Sequence, residues 1–346
     1  MTLELSDRNR RILEAVVQDY IRYAEPVGSR TLSKRYSLNI SPATIRNVMA
    51  DLEDMGLLTQ PHTSAGRIPT DLGLRYYVDT ILEVKRISET EREAISREFV
   101  GTAREVEQIV KRASRVLSSV SRHIGLVRAP SFSRLALKQL QFLKLTDRLV
   151  LAILVGRSGL IQNRIIEVEE NLRQEDLDRY NRYLNEVLEG LTINQIKSKI
   201  VEEMRQEKNR FDLMLSRALA LSQKVFEEDR EEEALYVEGR VNLLDYPEFS
   251  DSETMKAIFR AFEDKSILVK LLDQTLSASG VQIFIGSETA LTEMEGCTLI
   301  ASRYSRGSQP LGTLGVLGPT RLNYSRIIPV VDYTARLVSQ IIESTL

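Results

Sequence analysis

Cysteine, histidine and tryptophan are nearly missing. The 346 residues hold one cysteine, Cys297, two histidines, His62 and His123, and no tryptophan. A single cysteine excludes a disulfide framework within the chain and fits a reducing, cytoplasmic setting. Cys297 sits in an apolar, strand-like run and reads as a small buried residue, not a thiolate nucleophile. A histidine-based triad would have to use His62 or His123, and neither has a nucleophile elbow beside it. No cluster of cysteine and histidine has metal-ligand spacing. Gly312, Gly315 and Gly318 are regularly spaced, but the phosphate-binding lysine and the dinucleotide setting are both missing. No catalytic residue, metal or cofactor is expected. No stretch approaches the roughly 18 apolar residues of a membrane span, and Met1–Arg11 is too polar for a signal peptide. Net charge is −2, so any affinity for a polyanion has to be local. With 42% hydrophobic residues, two or three domains with real cores are expected.

What is present is concentrated between Glu25 and Thr70. Ser29 can cap a short helix through about Tyr36, with Leu32 and Tyr36 one turn apart. Ser37 to Ile40 break that pattern, and Asn39 is the residue there best suited to φ > 0. Ser41 and Pro42 restart a helix as N-cap and first helical residue. Ile45, Met49 and Leu52 form one apolar stripe, and Gly56 stands where a helix stops in the left-handed conformation. Leu57–Gln60 and Gly66–Ile68 read as the two strands of a hairpin. Before all this, residues 6–23 form a support helix capped by Ser6 or Asp7, with Ile12, Val16, Tyr20 and Tyr23 at helical spacing. Three helices followed by a hairpin predict a winged helix-turn-helix, whose second short helix enters the DNA major groove.

The face of that helix turned from the stripe carries Ala43, Thr44, Arg46, Asn47 and Ala50. Small residues let backbone approach a duplex; Arg46 can serve guanine or phosphate, and Asn47 can pair with adenine. Candidate DNA contacts are Ser29, Arg30 and Lys34 on the first short helix, Ser41, Ala43, Thr44, Arg46 and Asn47 on the second, and His62, Thr63, Ser64 and Arg67 in the wing. Residues 26–50 contain Arg30, Lys34, Arg35 and Arg46 and no acid; residues 55–70 contain Arg67 and His62 and again no acid. The acids sit in the first helix (Asp7, Glu14, Asp19) and at the end of the reading helix (Asp51, Glu53, Asp54). Segregation, not total charge, makes the basic surface.

The stretches DRNRRILEAVVQDYI, EPVGSRTLSKRY, SPATIRNVMADLE and QPHTSAGRIPT resemble the HrcA family of heat-inducible transcription repressors. So do LGLRYYVD, VQIFIGSE, LGVLGPTR and NYSRII further on. The resemblance implies a homodimeric repressor on an inverted-repeat operator upstream of chaperonin and Hsp70-type operons, with the chaperonin as modulator. Ser37 and Asn39 replace glycines of the family pattern, and Val48 stands where an acid is more usual.

Beyond the wing, Asp71 opens a helix with Leu74, Tyr77, Val78, Ile81 and Leu82. Residues 88–119 read as a charged helix with intermittent apolar positions. LKQLQFLKL, LVLAILVG and IQNRIIEV then alternate at strand length across tight turns. VQIFIGSE, CTLIASRYS and GTLGVLGP follow late, before a final helix over 323–344. The expected fold is multidomain α+β: an N-terminal winged helix-turn-helix and, by the resemblance, a GAF-like sheet domain of six or so antiparallel strands with a mainly helical inserted dimerisation domain. The expected boundaries are 1–85 for the DNA-binding head, 86–119 for a connecting helix, 120–169 with 233–346 for the sheet domain, and 170–232 for the insertion. The competing reading is a metabolite-sensing regulator whose GAF-like domain binds a small ligand.

Overall fold

The computed structural model describes residues 4–62, 65–101, 105–130, 136–169, 171–192, 195–196, 198–200, 202, 213–227, 235–289 and 292–345, with backbone alone at 213–216 and 292. The chain forms two compact units, one made of Met1–Arg128, Leu235–Tyr304 and Gly312–Ile341, the other of Ala129–Ala234, Ser305–Leu311 and Ile342–Leu346.

The first unit begins with α1 (Asp7–Tyr23), α2 (Ser29–Arg35) and α3 (Pro42–Asp54), followed by β1 (Leu58–Thr59) and β2 (Ile68–Pro69) as an antiparallel wing. Ser6 caps α1 and Ser41 caps α3, each accepting a backbone N–H three residues on. Asn39 takes φ 53° in the turn between α2 and α3, as its side chain allows. Gly56 takes φ 73° after α3, and the Leu57 N–H returns to the Leu52 carbonyl at 2.9 Å, closing the helix end. Ile12, Leu13, Val16, Leu32, Ile45, Met49 and Leu52 are buried together with Val48. Val48 therefore faces the head's interior, where an acid would lose its hydration; it is not a reading-helix contact. Gly28, not Ser29, stands at the N-cap of α2; Ser29 is its buried first residue. From Thr70, which caps α4 (Asp71–Tyr76), the helix runs on into a π-helical turn over Tyr77–Ile81.

The expected connecting helix is two helices, α5 (Glu89–Glu98) and α6 (Val106–Ser121), with Gly101 at φ 73° between them. One face of α6 buries Ile109, Val110, Ala113, Val116 and Leu117, so it is a packed layer and not a connector. It leads into β3 (Ile124–Arg128), a strand with all five residues buried and no alternation to betray it in the sequence. Gly125 lets α6 close down: a Cβ there would overlap the Ser114 backbone. After the second unit, which contributes β4–β6, α7 and α8, the chain adds β7 (Leu235–Glu238), α9 (Ser252–Glu263), α10 (Lys265–Leu276), β8 (Gln282–Ile285), β9 (Cys297–Arg306), β10 (Gln309–Pro319) and α11 (Tyr324–Thr345). The sheet order is β7-β3-β10-β9-β8. Ile124, Leu126, Leu299 and Leu317 on one face join Ile258, Phe262, Leu268 and Leu272 of α9 and α10 in a common core.

The second unit holds β4 (Leu137–Lys144), β5 (Leu149–Gly156), β6 (Ile161–Glu167), α7 (Gln174–Leu188) and α8 (Leu213–Glu227). Its three strands form a separate antiparallel sheet, β4-β5-β6. A single sheet of six strands is therefore corrected to one of five and one of three. The compact insertion starts near Ala129, not at 170, because these strands pack on α7 and α8. The free edge of β4 is closed by amide side chains of α7. Asn185 accepts from Leu140 N–H at 2.7 Å and donates to its carbonyl at 2.7 Å. Asn181 does the same for Phe142, and Gln174 accepts from Lys144 N–H at 2.9 Å. Four helical residues rise about 6 Å and two strand residues about 6.8 Å, so Asn185 and Asn181 fall opposite Leu140 and Phe142.

His123, between α6 and β3, is buried with its ring stacked on Tyr246 at 5.1 Å. Its Nδ1 has no hydrogen-bond partner among the described residues. Burial, aided by the charges of Arg321 and Arg326, pushes its pKa down to about 4. The unfolded chain thus binds the proton first. Stability should fall as pH drops from about 6.5 toward 4, by about 1.4 kcal/mol per pH unit. Urea unfolding of wild type and His123→Gln at pH 7, 6 and 5 checks this; the slope should vanish in the variant.

Candidate nucleic-acid interface

On α3 the spacing separates two faces. Ile45, Val48, Met49 and Leu52 point inward, while Ala43, Arg46 and Asn47 are exposed and Thr44 and Ala50 are half-buried. Ser41 Oγ lies 2.9 Å from Thr44 Oγ1 as well as accepting Thr44 N–H at 3.1 Å, so both residues are engaged in the cap. Pro42 at the first helical position leaves the N-terminus of α3 without the competing N–H of an ordinary residue. On α2, Arg30 and Lys34 are exposed and Ser29 is buried, which removes Ser29 from any duplex-facing surface.

Two of the basic residues in the acid-free stretches are used internally. Arg35 makes two bonds of 3.0 Å to Asp19, itself buried, and lies 4.1 Å over the Tyr23 ring, clamping α2 to α1. Arg67 is turned into the head: its Nε and Nη2 reach Glu53 Oε2 at 2.8 and 2.6 Å. The Arg67 backbone also exchanges both hydrogen bonds with Val27, at 2.8 and 2.9 Å. Gly66 beside it packs against the Val27 and Pro26 backbone, where a Cβ would sit 2.5 Å from Val27. Arg67 thus ties the wing to the end of α3 and to the loop before α2. This tie could not be read from charge counting, since Glu53 lies 14 residues away. Arg30, Lys34 and Arg46 make no ion pair among the described residues and carry the free positive charge of this surface. His62 is exposed in the wing turn, its carbonyl accepting Ala65 N–H at 2.8 Å; Thr63 and Ser64 lie outside the described residues.

The same unit contains a polar cleft of about 1130 Å³ lined in part by Arg10, Asp19, Arg35, Tyr36, His123 and Arg321. Several of its charged groups are engaged internally. Asp19 holds Arg35, Arg10 donates to the Thr80 carbonyl at 2.6 Å, and Arg321 is held by Glu248.

Because Arg67 is neutralised and largely buried, Arg67→Ala should cost about 1–3 kcal/mol of stability. The double variant with Glu53→Ala should lose less than the sum of the two singles, a sign that they share one contact. The salt slope of DNA binding should stay at the wild-type value, not fall by a unit. Thermal melts and salt titrations of the three variants check this.

Residues 4–77 match the family model "Winged helix-turn-helix transcription repressor, HrcA DNA-binding", and residues 107–328 match "HrcA protein C terminal domain". The chain is 51% identical over 340 residues to the heat-inducible transcription repressor HrcA of Geobacter sulfurreducens, covering 98% of this chain and 99% of that one. It is 49% identical to the repressor of the same name from Syntrophobacter fumaroxidans, with 98% of each covered. A solved structure of a protein called only hypothetical overlays with a TM-score of 0.59 at 25% identity, covering 99% of both chains. The chain belongs to the HrcA family of heat-inducible transcription repressors, which are DNA-binding regulators and not enzymes.

Proposed function

We propose that two copies of the chain bind an inverted-repeat operator, each laying α3 in a major groove, and that the complex hinders polymerase at promoters of chaperonin and Hsp70-type operons. One observation supports this above the others. The exposed side of the first half of α3, up to Asn47, is free of acids and presents Ala43, Arg46 and Asn47 beside Arg30 and Lys34 of α2, with Asp51 and Asp54 confined to the helix's far end. In this reading Arg46 and Asn47 address bases, while Arg30, Lys34 and the wing around His62 address the backbone. Heat relieves repression, and the resemblance adds the chaperonin as the modulator that keeps the repressor active. The reading places the protein in the cytoplasm; among the described residues no helix is long and apolar enough to cross a membrane.

Dimerisation is assigned to the second unit. One face of β5 buries Val150, Ala152 and Leu154 under the helices, while Leu151, Ile153 and Val155 on the other are half-buried. The register sets Ile165 beside Leu151 and Ile161 beside Val155, and both isoleucines are more than 60% exposed (61% and 63%). A contiguous apolar sheet face of this kind needs a cover, and a second copy supplies a self-complementary one.

A footprint of the purified protein on its own upstream region should show two protected half-sites an approximately whole number of turns apart, each turn about 34–36 Å. Arg46→Ala and Asn47→Ala should each lose about 1–3 kcal/mol of discrimination against a scrambled site while sedimenting as dimers. Ile161→Lys with Ile165→Lys should sediment as a folded monomer. Unchanged operator affinity in the first pair removes those residues from base reading, and a persistent dimer in the last removes this face.

A further inference from the structure

Three C-terminal stretches reach back to the N-terminal segments of the same compact unit. From VQIFIGSE, Glu288 takes the Arg75 guanidinium of α4 through Nε at 2.8 Å and through Nη2, and Arg75 donates to the Ile283 carbonyl at 2.6 Å. Asp71, which opens α4, accepts Ser287 N–H at 2.9 Å and Ser287 Oγ–H at 3.0 Å. Gly286, at φ 50°, lies so near that a Cβ would fall on the Asp71 carboxylate. From LGVLGPTR, Arg321 is held by Glu248 and reaches the Ile21 carbonyl of α1 at 3.5 Å. From NYSRII, Arg326 pairs with Glu91 of α5 at 2.9 Å and donates to the Val120 carbonyl at 3.3 Å.

The joint at α4 is the one that bears on recognition, because α4 is welded to the reading helix. Thr70, its cap, donates its hydroxyl to the Gly56 carbonyl at 2.6 Å and its N–H to the Leu57 carbonyl at 3.1 Å, directly behind α3. Gly73 packs on the Leu57 backbone so closely that a Cβ would overlap it. Whatever orients α4 therefore orients α3 and the wing as one body. The joint is charged as well as directional. Burial works against ionisation of Glu288, yet the hydrogen bonds from Arg75 and the Ile285 N–H outweigh it and hold the carboxyl below its ordinary range. An apolar seat would let the head slide; a two-armed guanidinium–carboxylate contact fixes an angle.

We infer that Asp71 and Arg75, seated on Gly286–Glu288, are positioning residues for DNA recognition: they set the angle between reading helix and sheet domain, so that the two heads of a dimer match one half-site separation. This rests on the dimeric reading above. Loosening the joint leaves each head able to hold one half-site. It lowers the effective concentration of the second head at the second half-site.

The test uses full-length Arg75→Ala, Glu288→Ala, their double variant and Asp71→Asn, each shown to be folded by its melting curve. The probes are the footprinted inverted repeat, the same repeat with two base pairs inserted between half-sites, and one half-site alone. Each variant should bind the inverted repeat about tenfold more weakly and the half-site within about twofold of wild type. The double variant should be no worse than the weaker single, and the insertion should penalise wild type more than the variants. Equal losses on repeat and half-site, or no loss on either, would overturn the joint. Wild type binding repeat and half-site alike would instead overturn the dimeric reading on which it stands.

Discussion

The pairing of β3 with β7 governs the rest of the molecule. Arg128 ends β3 and Leu235 begins β7, and the two are direct cross-strand partners. The chain leaves the first unit and returns to it at positions that in antiparallel pairs lie about 5 Å apart. Loop closure for everything between is thus carried by the sheet, and the second unit is free to build its own core. The exit is pinned. Arg128 is only 4% exposed, its guanidinium pairs with Asp273, and its carbonyl accepts the buried Tyr304 hydroxyl at 2.7 Å. Removing one partner of such a buried pair costs about 3–5 kcal/mol, because the other charge is left without compensation.

Charge in the DNA-binding head is divided between holding the head together and facing outward. Asp19 and Glu53 each absorb one arginine of the acid-free stretches. Arg35 fixes α2 on α1, and Arg67 fixes the wing on α3. What remains unpaired, Arg30, Lys34 and Arg46, lies on two adjacent helices. Sequence counting gives the sign of the surface correctly and overstates its strength.

The helix-turn-helix was legible in the sequence because its signals are local: Ser41 and Pro42 start α3, Gly56 stops it, and Asn39 makes the turn. The three strands of the second unit were legible for the same reason, each alternating between tight turns. Their membership was not. Whether β4–β6 join the late strands depends on pairing across the chain, which no local signal carries. β3 escaped notice because burial on both faces erases alternation over its five residues. In the site, the pairing of Arg67 with Glu53 and the burial of Ser29 could not be read from their place in the chain, because both depend on tertiary contacts. The seat of the head was visible only as two unconnected motifs, LGLRYYVD and VQIFIGSE, since Arg75 and Glu288 lie 213 residues apart.

The two edges of the small sheet are treated differently, and the difference bears on how copies of the chain can associate. A three-stranded sheet has two edges and two faces through which it could grow. Asn181, Asn185 and Gln174 occupy the backbone groups of β4 as a neighbouring strand would, so that edge accepts no further strand. The helices cover one face. The β6 edge and the face carrying Leu151, Ile153, Ile161 and Ile165 remain. A surface with a single sticky side pairs with itself around a twofold axis and is then used up, whereas two such sides on opposite edges would propagate into fibres. The amide ladder therefore does more than satisfy hydrogen bonds. It removes one edge from association, which suits the closed pair that the proposed reading, two reading helices on a symmetric stretch of DNA, requires.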